Sequence, residues 1–184
     1  TINGDLKSEM FDGQPMFRAF KSRIRPPHAT FTGIVKDKLQ QVLAETYASR
    51  ANVIKYFEKE GDTYHSSVYE VVKSGVTEEG GNMQMIDDEN EKNVLNIMKA
   101  NGIIVADISK FDNITLERLV TRGVKGIIIA PIYDEENIDG ALVLDYMNKD
   151  LFDKFCKNKE LDKIITEYTD YLKPYIAYPK NYKF

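Results

Sequence analysis

His65 stands directly before Ser66 and Ser67, in the run TYHSSVYEVVK from Thr63 to Lys73. An imidazole beside hydroxyls is the raw material of nucleophilic catalysis. The ring nitrogen takes the hydroxyl proton while a buried acid orients the ring. That chemistry needs the serine on an exposed elbow, and the Gly-x-Ser-x-Gly pattern that builds one is missing. The other histidine, His28, lies far away along the chain. Asp87, Asp88, Glu89 and Glu91 offer carboxylates, but with neither the spacing nor the Gly of a calcium loop. They read as a solvated loop leading into a helix, whose N-terminal dipole favours anions. No Gly-rich loop stands between a strand and a helix to cradle phosphate. Cys156 is the single cysteine, which excludes an internal disulfide and a multi-cysteine metal site. These residues predict no catalytic group, no metal and no cofactor.

The remaining sequence must therefore be read for what it positions. Its 184 residues suffice for one domain with a real core and an extra arm. A hydrophobic fraction of 42% with 29% charged residues is that of a soluble globular protein. A formal net charge of −4 argues against a general nucleic-acid binder, which needs a basic face. One cysteine suits a reducing compartment, so a cytoplasmic location is expected. No apolar run approaches the roughly 18 residues of a membrane span, and no signal peptide is visible. The chain begins with Thr1 rather than Met, as a processed protein or an excised piece would. Any membrane attachment is then expected through segments outside this chain.

Residues 1–30 read as an irregular arm punctuated by Gly4, Gly13, Pro15, Pro26 and Pro27. Arg18, Lys21, Arg23 and Arg25 make it the most basic stretch, either laid over the domain or kept for a partner or a membrane surface. After Thr32, Ile34, Val35, Leu39, Val42, Leu43 and Tyr47 recur at helical spacing. Asn52–Lys59 and Thr63–Lys73 are strand-like and flank Glu60-Gly61-Asp62, which predicts an antiparallel hairpin. A loop over 74–89 leads to a helix over Asn90–Ala100, stopped by Asn101-Gly102. A short strand, Ile103–Ala106, and a short helix capped by Asp112 or Asn113 and ended at Gly123 follow. Val124–Ile132 and Ile138–Tyr146 are the most apolar runs and turn through Asp134–Asn137. Pro131 cannot donate to a ladder, so its nitrogen must face away from a partner or sit at a bulge. Leu151 to about Tyr175 reads as one last helix. Two hairpins with helices outside define an α+β domain around an antiparallel sheet.

The stretch Ile127-Ile128-Ile129-Ala130-Pro131-Ile132, a polar turn, then Asp139-Gly140-Ala141-Leu142-Val143-Leu144 and a long helix resembles the GAF family of sensory domains. A weaker match is the helix from Leu39 that enters the first strand through Ala48-Ser49-Arg50-Ala51. The resemblance covers roughly residues 30–176. It implies a GAF-like domain over 31–176, with the arm 1–30 before it and a C-terminal tail 177–184. It also implies a central antiparallel sheet flanked by helices, with the first and last helices packed together. Both apolar runs should be inner strands covered on both faces, and Gly126 and Gly140 should admit close neighbours.

For function, the resemblance implies a non-catalytic regulatory or sensory domain. Such a domain binds a small ligand and passes occupancy to attached segments or a partner, as a dimer through its first and last helices. In family receptors the pocket lies between the sheet and the connection over roughly 103–123. This places Asp107, Ser109, Phe111, Thr115, Arg118 and Thr121 as candidate ligand-binding residues. Arg118 could pair with a phosphate or carboxylate, although beside Glu117 and Arg122 it also fits a solvated helix face. Ser109-Lys110-Phe111-Asp112 resembles part of the family's cyclic-nucleotide signature, but that signature is not contiguous. The family's sulfoxide reductase needs several cysteines, and Cys156 lies on the last helix, away from the usual pocket, so neither that activity nor covalent bilin attachment is expected. The alternative is a GAF-like interaction or assembly module with no small ligand, whether viral or membrane-tethered. Tyr168, Tyr171, Tyr175, Tyr178 and Tyr182 crowd the chain end, to pack on the domain or to form an interface.

Overall fold

The computed structural model describes residues 27–84, 89–108 and 120–177, with the side chains of 27–30 and 89–91 outside the description. The basic arm, the short helix predicted from Asp112, and Tyr178 and Tyr182 lie outside the described residues. Residues 33–177 form one compact unit. In chain order the elements are α1 (Pro27–Thr46), β1 (Arg50–Lys59), β2 (Asp62–Val72), α2 (Glu89–Asn101), β3 (Ile104–Asp107), β4 (Gly126–Asp134) and β5 (Asn137–Tyr146). Two further helices close the description, α3 (Lys149–Cys156) and α4 (Leu161–Ile176).

The five strands form one antiparallel sheet in the order β2-β1-β5-β4-β3. The β4–β5 hairpin therefore occupies inner positions, with β5 at the centre. Its register runs from Gly126 opposite Tyr146 to Asp134 opposite Asn137, with a shift between Ile132 and Tyr133. Pro131 lies beyond the β3 ladder, which ends at Ile129, and just before that shift. Both places tolerate a strand residue without an N–H.

Strand alternation divides the sheet into two faces. One carries Ala51, Val53, Ile128, Ala130, Leu142, Leu144 and Tyr146, all buried and all but the tyrosine hydroxyl apolar. The helices α3 and α4 pack here. Phe152 lies edge-on to Tyr146 at 5.2 Å between ring centroids, over the space a Cβ on Gly126 would take. A Cβ on Gly140 would collide with the Ile54 carbonyl of β1 and with Ile176 of α4. Both glycines thus serve the close approach expected of them. Along α1, Val35, Leu39, Val42 and Leu43 are buried, while Ile34 is half exposed. Each fully buried aliphatic side chain contributes about 1.5–3 kcal/mol.

The first and last helices are joined by their side chains. Tyr168 of α4 donates its hydroxyl to Glu45 of α1 at 2.6 Å, and Lys38 stands 4.2 Å over the Tyr171 ring. Tyr146 donates to the Thr46 carbonyl at 2.9 Å, occupying an acceptor that the end of α1 leaves over. Tyr47 then reverses the chain with a left-handed φ of 65°.

Two boundaries differ from the sequence reading. The first helix starts at Pro27, inside the stretch read as irregular, because proline's fixed φ suits a first helical turn whose N–H groups are unused. The last helix is two helices. Asn158 stops α3: its N–H donates to Phe155 O at 2.9 Å, and its side chain accepts from Glu160 N at 2.8 Å. The polar run Lys157–Glu160 has no apolar side chain to bury, so nothing holds it in the helical register.

Candidate functional site

The other face of the sheet is mixed in character. Its middle is apolar: Ile54, Ala106, Ile127, Ile129 and Ala141 pack with Val124 and with Met98 of α2. Val94 and Leu95 of α2 and Val143 of β5 pack around this cluster. The end of the face nearest the start of β1 is polar. Arg50 is only 1% exposed and lies opposite Asp145 across the β1–β5 ladder. Its Nη1 donates to Asp145 Oδ2 at 2.5 Å, its Nε lies 3.1 Å from Glu70 Oε2, and its Nη2 donates to Thr77 O at 2.8 Å. Glu70 also accepts the backbone N–H groups of Glu79 and Gly80.

A buried guanidinium survives only when its charge is matched, and here two carboxylates match it while the Thr77 carbonyl takes a further N–H. Burial pushes the Asp145 carboxyl above the usual carboxylate value, while the Arg50 guanidinium pulls it the other way. The hub fastens residues 77–80 across β1 and β2. Residues 80–82 make a short 3-10 turn, and Met83 O accepts from Ser67 N at 2.7 Å. Beside it, Ser67 donates to Asn52 Oδ1 at 2.8 Å, and Asn52 Nδ2 points at Met83 Sδ at 3.6 Å. Arg122 Nη1 approaches the same sulfur at 3.5 Å. At the far end of β1, Lys55 Nζ lies 2.7 Å from both oxygens of Asp139.

Of the residues chosen from sequence, Ser109, Phe111, Thr115 and Arg118 lie outside the described residues. Asp107 ends β3 opposite Gly126. Cross-strand partners share a face, and the Gly126 Cβ direction is filled by Phe152 of α3. Asp107 therefore stands on the α3 side of the sheet, where its charge acts on Lys149. Thr121 is exposed and helical, next to the turn at 122–123. The structure does not bring Asp107 onto the α2 side. His65 is buried opposite Tyr56, ring edge to ring face at 6.2 Å, and the Ser67 hydroxyl is committed to Asn52. Among the described residues, no group of three or more His, Cys, Asp or Glu could hold a metal ion. Cys156 belongs to α3, whose Phe152 and Phe155 are buried on the opposite side of the sheet. Burial and the nearby Asp153 push its thiol above the ordinary value.

The sequence reading missed Arg50, Glu70, Asp145 and Asn52. A signal was present: Asp145 sits in the apolar run of an inner strand, where a charge demands a partner. Naming that partner required the pairing of strands 95 residues apart. Arg122, read as part of a solvated helix face, is half buried against Met83.

This arrangement, a five-stranded antiparallel sheet with paired helices on one side and α2 on the other, is an α+β architecture. Specifically, the chain has a GAF-like fold. It is similar to the GAF domain of Thermosynechococcus elongatus PixJ in its blue-light-absorbing form, at 18% identity, over 80% of this chain and 85% of that one, with a TM-score of 0.55. It is similar to the phycocyanobilin-bound GAF domain of a cyanobacterial phytochrome, at 13% identity over 82% and 86%, TM-score 0.53. The red/green cyanobacteriochrome NpR6012g4 in its red-light-absorbing state matches at 18% identity over 77% and 93%, TM-score 0.55. At these identities the likeness is one of fold. No protein-family model matches the sequence, and no curated protein matches it.

Proposed function

We propose that this chain is a non-catalytic, cytoplasmic sensory or regulatory module that holds a small, largely apolar ligand between the sheet and α2 and signals its occupancy as a homodimer. The observation that carries this reading is the unlike construction of the two faces. The α3–α4 side is a continuous apolar core. The α2 side has an apolar floor, Ile54, Ile127, Ile129 and Val143, with the ionic cluster at Arg50 beyond one end. Apolar walls with a few placed polar groups are what small-molecule sites share. Among the described residues this side is covered by α2 and the hydrogen-bonded loop at 77–84, and such a cover opens at lower free energy than a packed core does. The structural neighbours include a phycocyanobilin-bound domain, which supports a small-molecule role for this fold. Cys156 lies on the other side, so a ligand here would be held without a thioether. The connection carrying Ser109, Phe111, Thr115, Arg118 and Thr121 is proposed to complete the enclosure.

Such a domain signals only if the ligand binds two arrangements unequally. Thermal-shift measurements with bilins, nucleotides and amino acids test the proposal. A true ligand at about 100 times its Kd stabilises the fold by roughly 2.7 kcal/mol. Val143→Phe, which enlarges a half-buried floor residue, should abolish that shift; a shift that survives places the ligand elsewhere.

One observation favours a second reading, a GAF-like interaction module without a ligand. Met98 is fully buried and packs in the middle of the floor. The protein's own side chain then occupies part of the space a ligand would take. Absence of any stabilising compound across the panel would select this reading.

A further inference from the structure

We propose that Met83 is a site of oxidation to methionine sulfoxide, and that the product is held by Asn52 and Arg122 so that oxidation fastens residues 79–84 to the segment carrying Arg122. This inference is independent of any ligand on the α2 side. A thioether sulfur is a weak hydrogen-bond acceptor. Two N–H donors nevertheless converge on Met83 Sδ, the Asn52 amide at 3.6 Å and the Arg122 guanidinium at 3.5 Å. Asn52 is buried, and its amide is oriented because its oxygen accepts from Ser67 Oγ at 2.8 Å. The Met83 backbone is fixed too, its carbonyl accepting from Ser67 N at 2.7 Å and its N–H donating to Gly80 O at 3.1 Å.

The donor set suits an oxygen better than a sulfur. In the reaction a hydroperoxide transfers its terminal oxygen to Sδ. The sulfur is oxidised by two electrons, the peroxide O–O bond breaks, and an alcohol leaves, or water when the oxidant is hydrogen peroxide. The new S–O group is a strong acceptor that lies within reach of both donors. Charge-assisted bonds of the Arg122 type are roughly twice as strong as neutral ones. Met83 is half buried, so a small oxidant reaches it. By contrast, Met98 is fully buried and Met147 packs against the apolar cluster. Sulfoxide reductases return methionine sulfoxide to the thioether, which would make the change a reversible switch.

The test treats the whole chain with dilute hydrogen peroxide and maps each methionine by peptide mass spectrometry, with hydrogen exchange measured before and after. Met83 should oxidise several-fold faster than Met98, and exchange over residues 79–84 and 120–125 should slow after oxidation. In Arg122→Ala, Met83 should still oxidise without that slowing. Met83→Gln, which carries an amide oxygen at the same place, should slow exchange in both segments with no oxidant. It reads out the cradle even if Arg122→Ala does not fold. Oxidation of Met83 no faster than Met98 would overturn the proposal. So would exchange that is unchanged or faster after oxidation, equal slowing in Arg122→Ala, or unaltered exchange in Met83→Gln.

Discussion

Arg50 concentrates more of the fold's polar organisation than any other described side chain. It links three parts of the chain through Glu70, Thr77 and Asp145. Truncating one partner of a buried ion pair leaves the others uncompensated, so Arg50→Ala should lower stability by about 3–5 kcal/mol in urea titration. Arg50→Met combined with Asp145→Leu should cost less than Arg50→Ala alone, because Glu70 keeps its two backbone donors while the second buried charge is removed. A double variant as unstable as the single one would mean that packing rather than charge sets the cost. Cys156 poses the opposite case, a group made quiet by its surroundings. Its raised thiol pKa leaves less thiolate near neutrality, and the thiolate is the reactive form. Alkylation at pH 8 should therefore be slower in the folded protein than in urea. A folded pKa raised above the unfolded value means that this thiol's contribution to stability is intact below about pH 9 and fades as pH climbs toward the raised value. Cys156→Ser should remove that alkaline loss, as read from denaturation midpoints across the range.

At the level of elements, local chemistry decides most boundaries, and this explains what was legible. Both hairpins could be read because short polar turns permit only an antiparallel return: Gly61 adopts φ 88°, and Glu135 takes the left-handed φ of 56° at the second turn. The break between α3 and α4 was not legible, because Phe152, Phe155, Leu161 and Ile165 are buried in a nearly helical rhythm that masks the interruption. What makes α3 a separate helix is its own start. Asn148 accepts the Leu151 N–H at 3.0 Å with its side-chain oxygen, and Asp150 follows in the first turn. Asn148→Ala should cost about 0.5–2 kcal/mol by denaturation, and Asn148→Asp should restore most of it. Because α3 places Phe152 over Gly126, the loss should also appear as faster exchange in β4. An effect confined to α3 would show that the helix frays without loosening the sheet.

The whole molecule shows why the site was harder to read than the scaffold. The floor could be inferred from two apolar runs, but the polar cluster joins residues 50, 70, 83, 122 and 145, which only the strand order β2-β1-β5-β4-β3 brings together. Asp107 shows the same limit, since its face depends on its pairing with Gly126 rather than on its neighbours in sequence. The same topology leaves a surface on α1 and α4 that bears on the proposed homodimer. Ile34 is 49% exposed and lies one turn before Lys38, which covers Tyr171; Tyr171, 38% exposed, stacks on Tyr175 at 5.7 Å. An exposed aliphatic group and two tyrosines on neighbouring helices match the composition of an interface core, with Lys38 at its rim, more closely than that of a solvated helix face. Light scattering after gel filtration should give the mass of two 21.1 kDa chains at high concentration and dissociate on dilution. Ile34→Glu with Tyr171→Glu should leave a monomer. Ile34 already meets solvent, so Ile34→Glu should move monomer stability by no more than about 0.5 kcal/mol, while Tyr171→Glu should cost about 0.5–1.5 kcal/mol because it also gives up the Tyr175 stack. A wild-type chain that stays monomeric at every concentration would remove the dimer. A mass unaffected by the two substitutions would move the interface off these helices.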